Sequence, residues 1–146
     1  MPVELPEYRS ALTDALGHAI PQTGTLRVWL DDDTVDRCAP DGWVHLVTAR
    51  EACLLLLTGR VVELSLDNDL DGDVRNGRGH QVVDFIVEQA GLNERDLWPP
   101  DGITLHTANS TERDAMERTI TTQASKRWHV LKSYRPGAKP HFDFRT

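Results

Sequence analysis

The sequence predicts one α/β domain built on a parallel sheet with helices on both faces. Three observations predict it. The 146 residues, 39% hydrophobic and 27% charged, fit a single domain with a real core. Three apolar runs of strand length alternate with segments of helical periodicity, the pattern of βαβ units. Two of those runs end abruptly in aspartates, and ligands of such sheets bind outside the carboxyl ends of the strands.

Taken in order, Tyr8, Leu12, Ala15, Leu16, Ala19 and Ile20 recur at helical spacing, and Pro21 and Gly24 stop an N-terminal helix. Leu26 to Leu30 reads as a buried strand that stops in Asp31-Asp32-Asp33. A loop with Pro40 and Gly42 leads to a short strand from Trp43 to Val47. Thr48 with Glu51 has the capping-box spacing, so the leucines that follow form a helix ending at Gly59. The second apolar strand, Val61 to Leu66, runs into Asp67-Asn68-Asp69-Leu70-Asp71-Gly72-Asp73. After Gly77 and Gly79, Val82, Val83, Phe85, Ile86 and Ala90 mark an amphipathic helix to Gly91. Pro99 to Gly102 breaks the chain, Ile103 to His106 is a third apolar strand, and Asn109 or Ser110 caps a helix beginning near Glu112. The expected organisation is an N-terminal helical extension over 1–25, the α/β domain over 26–120 and a basic aromatic extension over 121–146.

Composition narrows the function classes. Two cysteines, Cys38 and Cys53, are too few for a disulfide scaffold and lack zinc-site spacing. The first residues carry no signal peptide and no apolar run is long enough for a membrane span, so a cytoplasmic location and no membrane partner are expected. Charge is uneven: residues 1 to 120 carry a net −12, and residues 121 to 146 a net +5. The basic tail either meets a polyanion such as RNA or docks on the acidic body, and its Trp128, Tyr134, Phe142 and Phe144 favour packing.

The acids carry the chemistry. Carboxylates crowded at strand ends repel one another unless a cation or shared protons intervene. Hard oxygen ligands suit Mg²⁺ or Mn²⁺, with a substrate phosphate completing the shell. Asp31, Asp32 and Asp67 are therefore the expected metal ligands and Asp69 a neighbouring catalytic group, while Asp33, Asp71 and Asp73 read as loop residues facing water. Asp67, Asp69, Asp71 and Gly72 match the opening of a calcium EF-hand loop, but its twelfth position is Arg78 and a strand precedes it. His106, Thr107, Asn109 and Arg113 share the same rim. There an imidazole can move a proton while a hydroxyl, an amide and a guanidinium bind phosphate. The plainer readings are a backbone-satisfied histidine, and an ion pair of Arg113 with Glu117. Gly77-Arg78-Gly79-His80 lacks the Lys-Ser/Thr of a P-loop, and backbone freedom at a helix entrance explains its glycines.

Val28-Trp29-Leu30-Asp31-Asp32-Asp33, Gly42-Trp43, Ser65-Leu66-Asp67-Asn68-Asp69-Leu70, and Leu105-His106-Thr107-Ala108-Asn109 with Met116 together resemble the cyclic-phosphate-processing receiver-like domain, a divergent relative of two-component receivers. The resemblance covers residues 26 to 120 and implies a flavodoxin-like, receiver-like fold. It also implies an acidic pair at Asp31 and Asp32, a phosphoacceptor position at Asp67 and the Ser/Thr hydroxyl at Thr107. It implies action on cyclic phosphate ends of RNA or related esters. Asn68 stands where the family motif has a histidine, and the receiver lysine has no clear counterpart, although Gly137-Ala138-Lys139-Pro140 is a candidate segment.

The expected function is thus a metal-dependent phosphoesterase acting on nucleotide or RNA phosphate ends. Asp31, Asp32 and Asp67 would hold the metal, His106 would act as acid or base, and Asn109 and Arg113 would steady the anion. The alternatives are a signalling receiver phosphorylated on Asp67 and a non-catalytic module that binds a phosphate ligand or a protein partner.

Overall fold

A computed structural model describes residues 20–21, 23–70, 77–92 and 94–146. The expected N-terminal helix, apart from Ile20, and the acids Asp71 and Asp73 lie outside the described residues.

Four strands run parallel: β1 (Leu26–Leu30), β2 (Val44–Leu46), β3 (Val61–Leu66) and β4 (Ile103–Leu105). Helix α1 (Ala49–Leu56) joins β2 to β3, α2 (Gly79–Leu92) joins β3 to β4, and α3 (Ser110–Ala124) follows β4. The chain closes with an antiparallel hairpin of β5 (His129–Arg135) and β6 (Lys139–Arg145). The sheet order is β2-β1-β3-β4-β6-β5. No helix among the described residues is long and apolar enough to cross a membrane.

Local chemistry sets the element boundaries. Thr48 takes an extended conformation and its hydroxyl oxygen accepts from the Glu51 N–H at 3.2 Å, which starts α1. The Asn109 side chain does the same for α3, accepting from the Glu112 N–H at 3.1 Å. Along β1 the side chains alternate, and Leu26, Val28 and Leu30 are buried. Registered pairing puts Val28 beside Leu64 and Leu30 beside Leu66, and in turn Leu64 beside Ile103 and Leu66 beside Leu105. These join Ala52 and Leu55 of α1, Val82 and Ile86 of α2, and Met116 and Ile120 of α3 in one buried cluster. The crossovers through α1 and α2 run in the same direction along the sheet, so right-handed connections place both helices on one face. α3 packs against α2.

The sheet is mixed rather than parallel throughout. Residues 129–145, which lie within the expected 121–146 extension, complete it: Phe142 pairs with Ile103 and His141 with Thr104 in antiparallel register. Phe142 and Phe144, at alternate positions of β6, are buried in the core, which is worth about 1.5–3 kcal/mol per side chain. Basic residues of the expected 121–146 extension serve the body too, since Lys132 pairs with Glu117 and Arg127 with Asp96. Because β6 runs opposite to β4, its first residue, Lys139, lies at the carboxyl ends of the parallel strands.

Candidate functional site

β1 and β3 are adjacent and in register up to Leu30 and Leu66, so the next residues of each strand emerge side by side. The Asp31 N–H donates to the Leu46 carbonyl at 3.0 Å and the Asp67 N–H to the Leu30 carbonyl at 2.9 Å, which keeps both backbones in the ladder. Asp31 and Asp67 are buried and Asp32 is half-buried. One carboxylate oxygen from each of the three lies within 4.8 Å of the others. Asp31 Oδ1 accepts from the Asp33 N–H at 2.9 Å, but the buried Oδ2 of Asp67 has no hydrogen bond. Burial, and then the neighbouring Asp31 charge, push the Asp67 carboxyl up to about 6, against the opposing pull of Arg37 and the Thr107 hydroxyl. Such a set of hard oxygen donors, one of them without a hydrogen bond, fits a small divalent cation.

Arg37 is the cation found there. Its guanidinium lies 3.3 Å from Asp31, 3.9 Å from Asp32, 3.6 Å from Asp33 and 3.7 Å from Asp67. The residue sits in an irregular loop with no periodicity to flag it, and its signal in the sequence is its place as the lone cation of an acid-rich stretch, Asp31 to Asp41.

His106 leaves β4 on the face opposite the helices and lies flat on Trp29, with ring centroids 4.1 Å apart and planes 10° apart. Its Nε2 is 3.1 Å from Asp31 Oδ2 and its Nδ1 is 2.7 Å from the Ser65 Oγ. An ionised carboxylate only accepts, so Nε2 carries the proton. Burial first, then the charges of Lys139, Arg37 and His45, push the imidazolium form down to about 3. The ring is therefore neutral, Nδ1 accepts from the Ser65 hydroxyl, and both nitrogens are used within the protein. The strand sequence alone does not single out Ser65, because only the β3–β4 pairing brings it beside His106.

The other expected site residues fall into two groups. Thr107 is buried, hydrogen-bonds the Asp67 carboxylate and accepts from the Asn109 N–H at 3.2 Å. Asn109 is occupied as the cap of α3, with its amide donating to Asp69 Oδ2 at 3.3 Å. Asp69 is exposed, outside the three-carboxylate cluster, and also accepts from the Asn68 amide. Asn68 is fully buried and its Oδ1 accepts from the His80 N–H at 3.1 Å, which ties the end of β3 to the start of α2. The His80 ring is directed at α3, with Nε2 3.3 Å from Thr119 Oγ1, and so does not replace the histidine that Asn68 displaces. Arg113 makes no ion pair among the described residues; Glu117 pairs with Lys132 instead. Arg113 lines a cleft of about 500 Å³ together with Arg37, Lys139, Trp29, His106 and Thr107. Cys38, on the wall of the same cleft, donates its thiol to the Thr34 carbonyl.

Acids at the ends of β1 and β3, a hydroxyl after β4 and a lysine on the strand beyond it define a receiver-like α/β domain. The chain belongs to the cyclic-phosphate processing receiver domain family, whose model matches residues 26–122, about two thirds of its length. Neither a curated protein nor a solved structure matches it. The hairpin that brings Lys139 to the cleft lies beyond the matched residues.

Proposed function

We propose that this protein is a divalent-metal-dependent phosphoesterase that opens cyclic phosphate ends of RNA or nucleotides. The observation that carries the reading is the convergence of Asp31, Asp32 and Asp67 beside a cleft lined by Arg37, Arg113 and Lys139. Mg²⁺ or Mn²⁺ held by the three carboxylates would polarise phosphoryl oxygens and make water a stronger acid. Thr107 orients Asp67 through its hydroxyl, and His106, neutral and fixed by Ser65, orients Asp31. Fixing ligands from behind in this way tunes affinity and geometry together. The cationic wall of the cleft neutralises the phosphate, and Arg135, paired across the hairpin with Lys139, extends that charge toward an RNA chain. In the proposed reaction water adds to phosphorus, its proton passes to the exposed Asp69, and one phosphorus–oxygen bond to the ribose breaks. The departing ribose oxygen takes a proton from solvent.

Turnover of 2′,3′-cyclic nucleotides and of RNA with cyclic ends, with Mg²⁺ or Mn²⁺, tests this. Asp67→Asn should lower kcat by at least about 100-fold, the scale on which removal of a charge-stabilising catalytic group acts. No turnover with either metal, or equal turnover in the variant, refutes it. A second reading, a module that binds a phosphate ligand without turning it over, draws on the engagement of both His106 nitrogens inside the protein. Binding of the cyclic nucleotide without hydrolysis would select it.

A further inference from the structure

Arg37 approaches the three carboxylates of the cluster and that of Asp33, yet none of the four contacts, at 3.3 to 3.9 Å, is as short as the 2.7–2.9 Å of a good charge-assisted bond. It forms ion pairs with all four acids and a short charge-assisted hydrogen bond with none. The root of the residue is fixed: its carbonyl accepts from the Trp29 indole at 2.9 Å, and Asp33 Oδ1 winds the loop by accepting from the N–H groups of Val35 and Asp36. Its side chain is 43% exposed and lines the cleft that also holds Arg113 and Lys139. A firm anchor with a long, loosely held, half-solvated arm can serve two places.

A doubly charged ion among Asp31, Asp32 and Asp67 would compete with the guanidinium for the same oxygens and repel it at contact distance. The cleft the arm already lines is a solvated volume open to it. There a planar fork of donors suits a phosphate better than three separate carboxylates whose oxygens lie within 4.8 Å of one another.

We propose that Arg37 is the resident counter-charge of the metal-free cluster and, once displaced by a divalent cation, becomes a phosphate-binding residue of the adjoining cleft. Metal and phosphate then bind cooperatively through one side chain, the metal making available the arm that grips the anion. The proposal rests on the metal-dependent reading above. It goes beyond that reading by giving the loop between β1 and β2 a part in both binding steps.

Calorimetry on the full chain tests it, with Mn²⁺ titrated into metal-free protein and inorganic phosphate titrated into Mg²⁺-saturated protein. Arg37→Gln should bind Mn²⁺ about 5- to 30-fold more tightly, because the competing charge is gone, and phosphate about 10-fold more weakly, because a charged donor is lost. Arg37→Lys, which keeps the charge without the fork, should hold Mn²⁺ as the wild type does and bind phosphate more weakly. Opposite shifts from a single substitution are the signature; a purely structural arginine would leave the phosphate constant of the metal-loaded protein unchanged. Both constants within twofold of wild type, or both moving in the same direction, overturn the proposal. If wild type and variants all fail to bind Mn²⁺, the metal-dependent reading itself falls and takes this one with it.

Discussion

Asp67→Asn offers a measurement that separates the cost of the acid cluster from its use. In metal-free protein, Asp67 must ionise in a buried setting beside Asp31, and its folded value of about 6 lies above the ordinary 3.8. A raised carboxyl value means that the folded state holds the proton more tightly than the unfolded chain. The stability this group contributes is therefore complete below about pH 4 and is lost as the pH rises through 6. The difference between about 6 and 3.8 sets an upper limit of about 3 kcal/mol, and the polarisable surroundings of a real buried site lower it to on the order of 1–2 kcal/mol. An asparagine has nothing to ionise, so the variant escapes the loss. Thermal unfolding in EDTA from pH 4 to pH 7.5 should show the melting temperature of Asp67→Asn gaining about 3–7 °C on that of wild type across the range. Saturating Mn²⁺ should reverse the order, adding about 2.7 kcal/mol to wild type at a hundredfold excess over Kd and little to the variant. A melting difference that stays flat with pH, or a variant less stable than wild type at pH 7, would refute the account of Asp67 as a carboxylate that burial and the Asp31 charge make costly to ionise.

Two further substitutions probe the supports of the site. Ser65→Ala strands the buried Nδ1 of His106 without a donor and should cost about 1–3 kcal/mol in urea unfolding; a loss below about 0.5 kcal/mol would mean the Ser65 contact is idle. Gly79→Ala places a Cβ 2.1 Å from the Asp67 carbonyl oxygen and 3.0 Å from the Asn68 Cα, backbone that cannot step aside. The overpacking should cost about 1–3 kcal/mol, and the accompanying shift of Asp67 should weaken Mn²⁺ binding; unchanged stability and affinity together would show the contact to be slack.

Where sequence reasoning succeeded, the information was local. An apolar run stopping in acids is visible along the chain, and Asp31, Asp32 and Asp67 do converge. The caps at Thr48 and Asn109 follow from residue type and spacing. The same residue types mislead where capping and ligand binding compete for one side chain. Asn109 looks like an anion ligand until its oxygen is seen on the Glu112 N–H, and His106 looks like a free base until both nitrogens are seen engaged. In the tail, the alternation of Phe142 and Phe144 is a strand signal, but the basic residues around them read equally well as a docked or RNA-binding segment. Only the pairing of Phe142 with Ile103 makes it a strand of this sheet.

By itself, then, the sequence determined the alternation of strands and helices, the core face of each, and which strand ends carry carboxylates. All of these depend on neighbours within a few residues. The tertiary structure decided which strands lie side by side, and with that everything that depends on distance across the sheet. It set Asp31 beside Asp67, put Ser65 under His106, turned β6 so that Lys139 reaches the rim, and brought Arg37 from an unpatterned loop into the acids. Charges and hydrogen bonds act over a few ångströms of space, whatever the separation along the chain. For that reason the acid cluster could be located from sequence, while the cation that balances it could not.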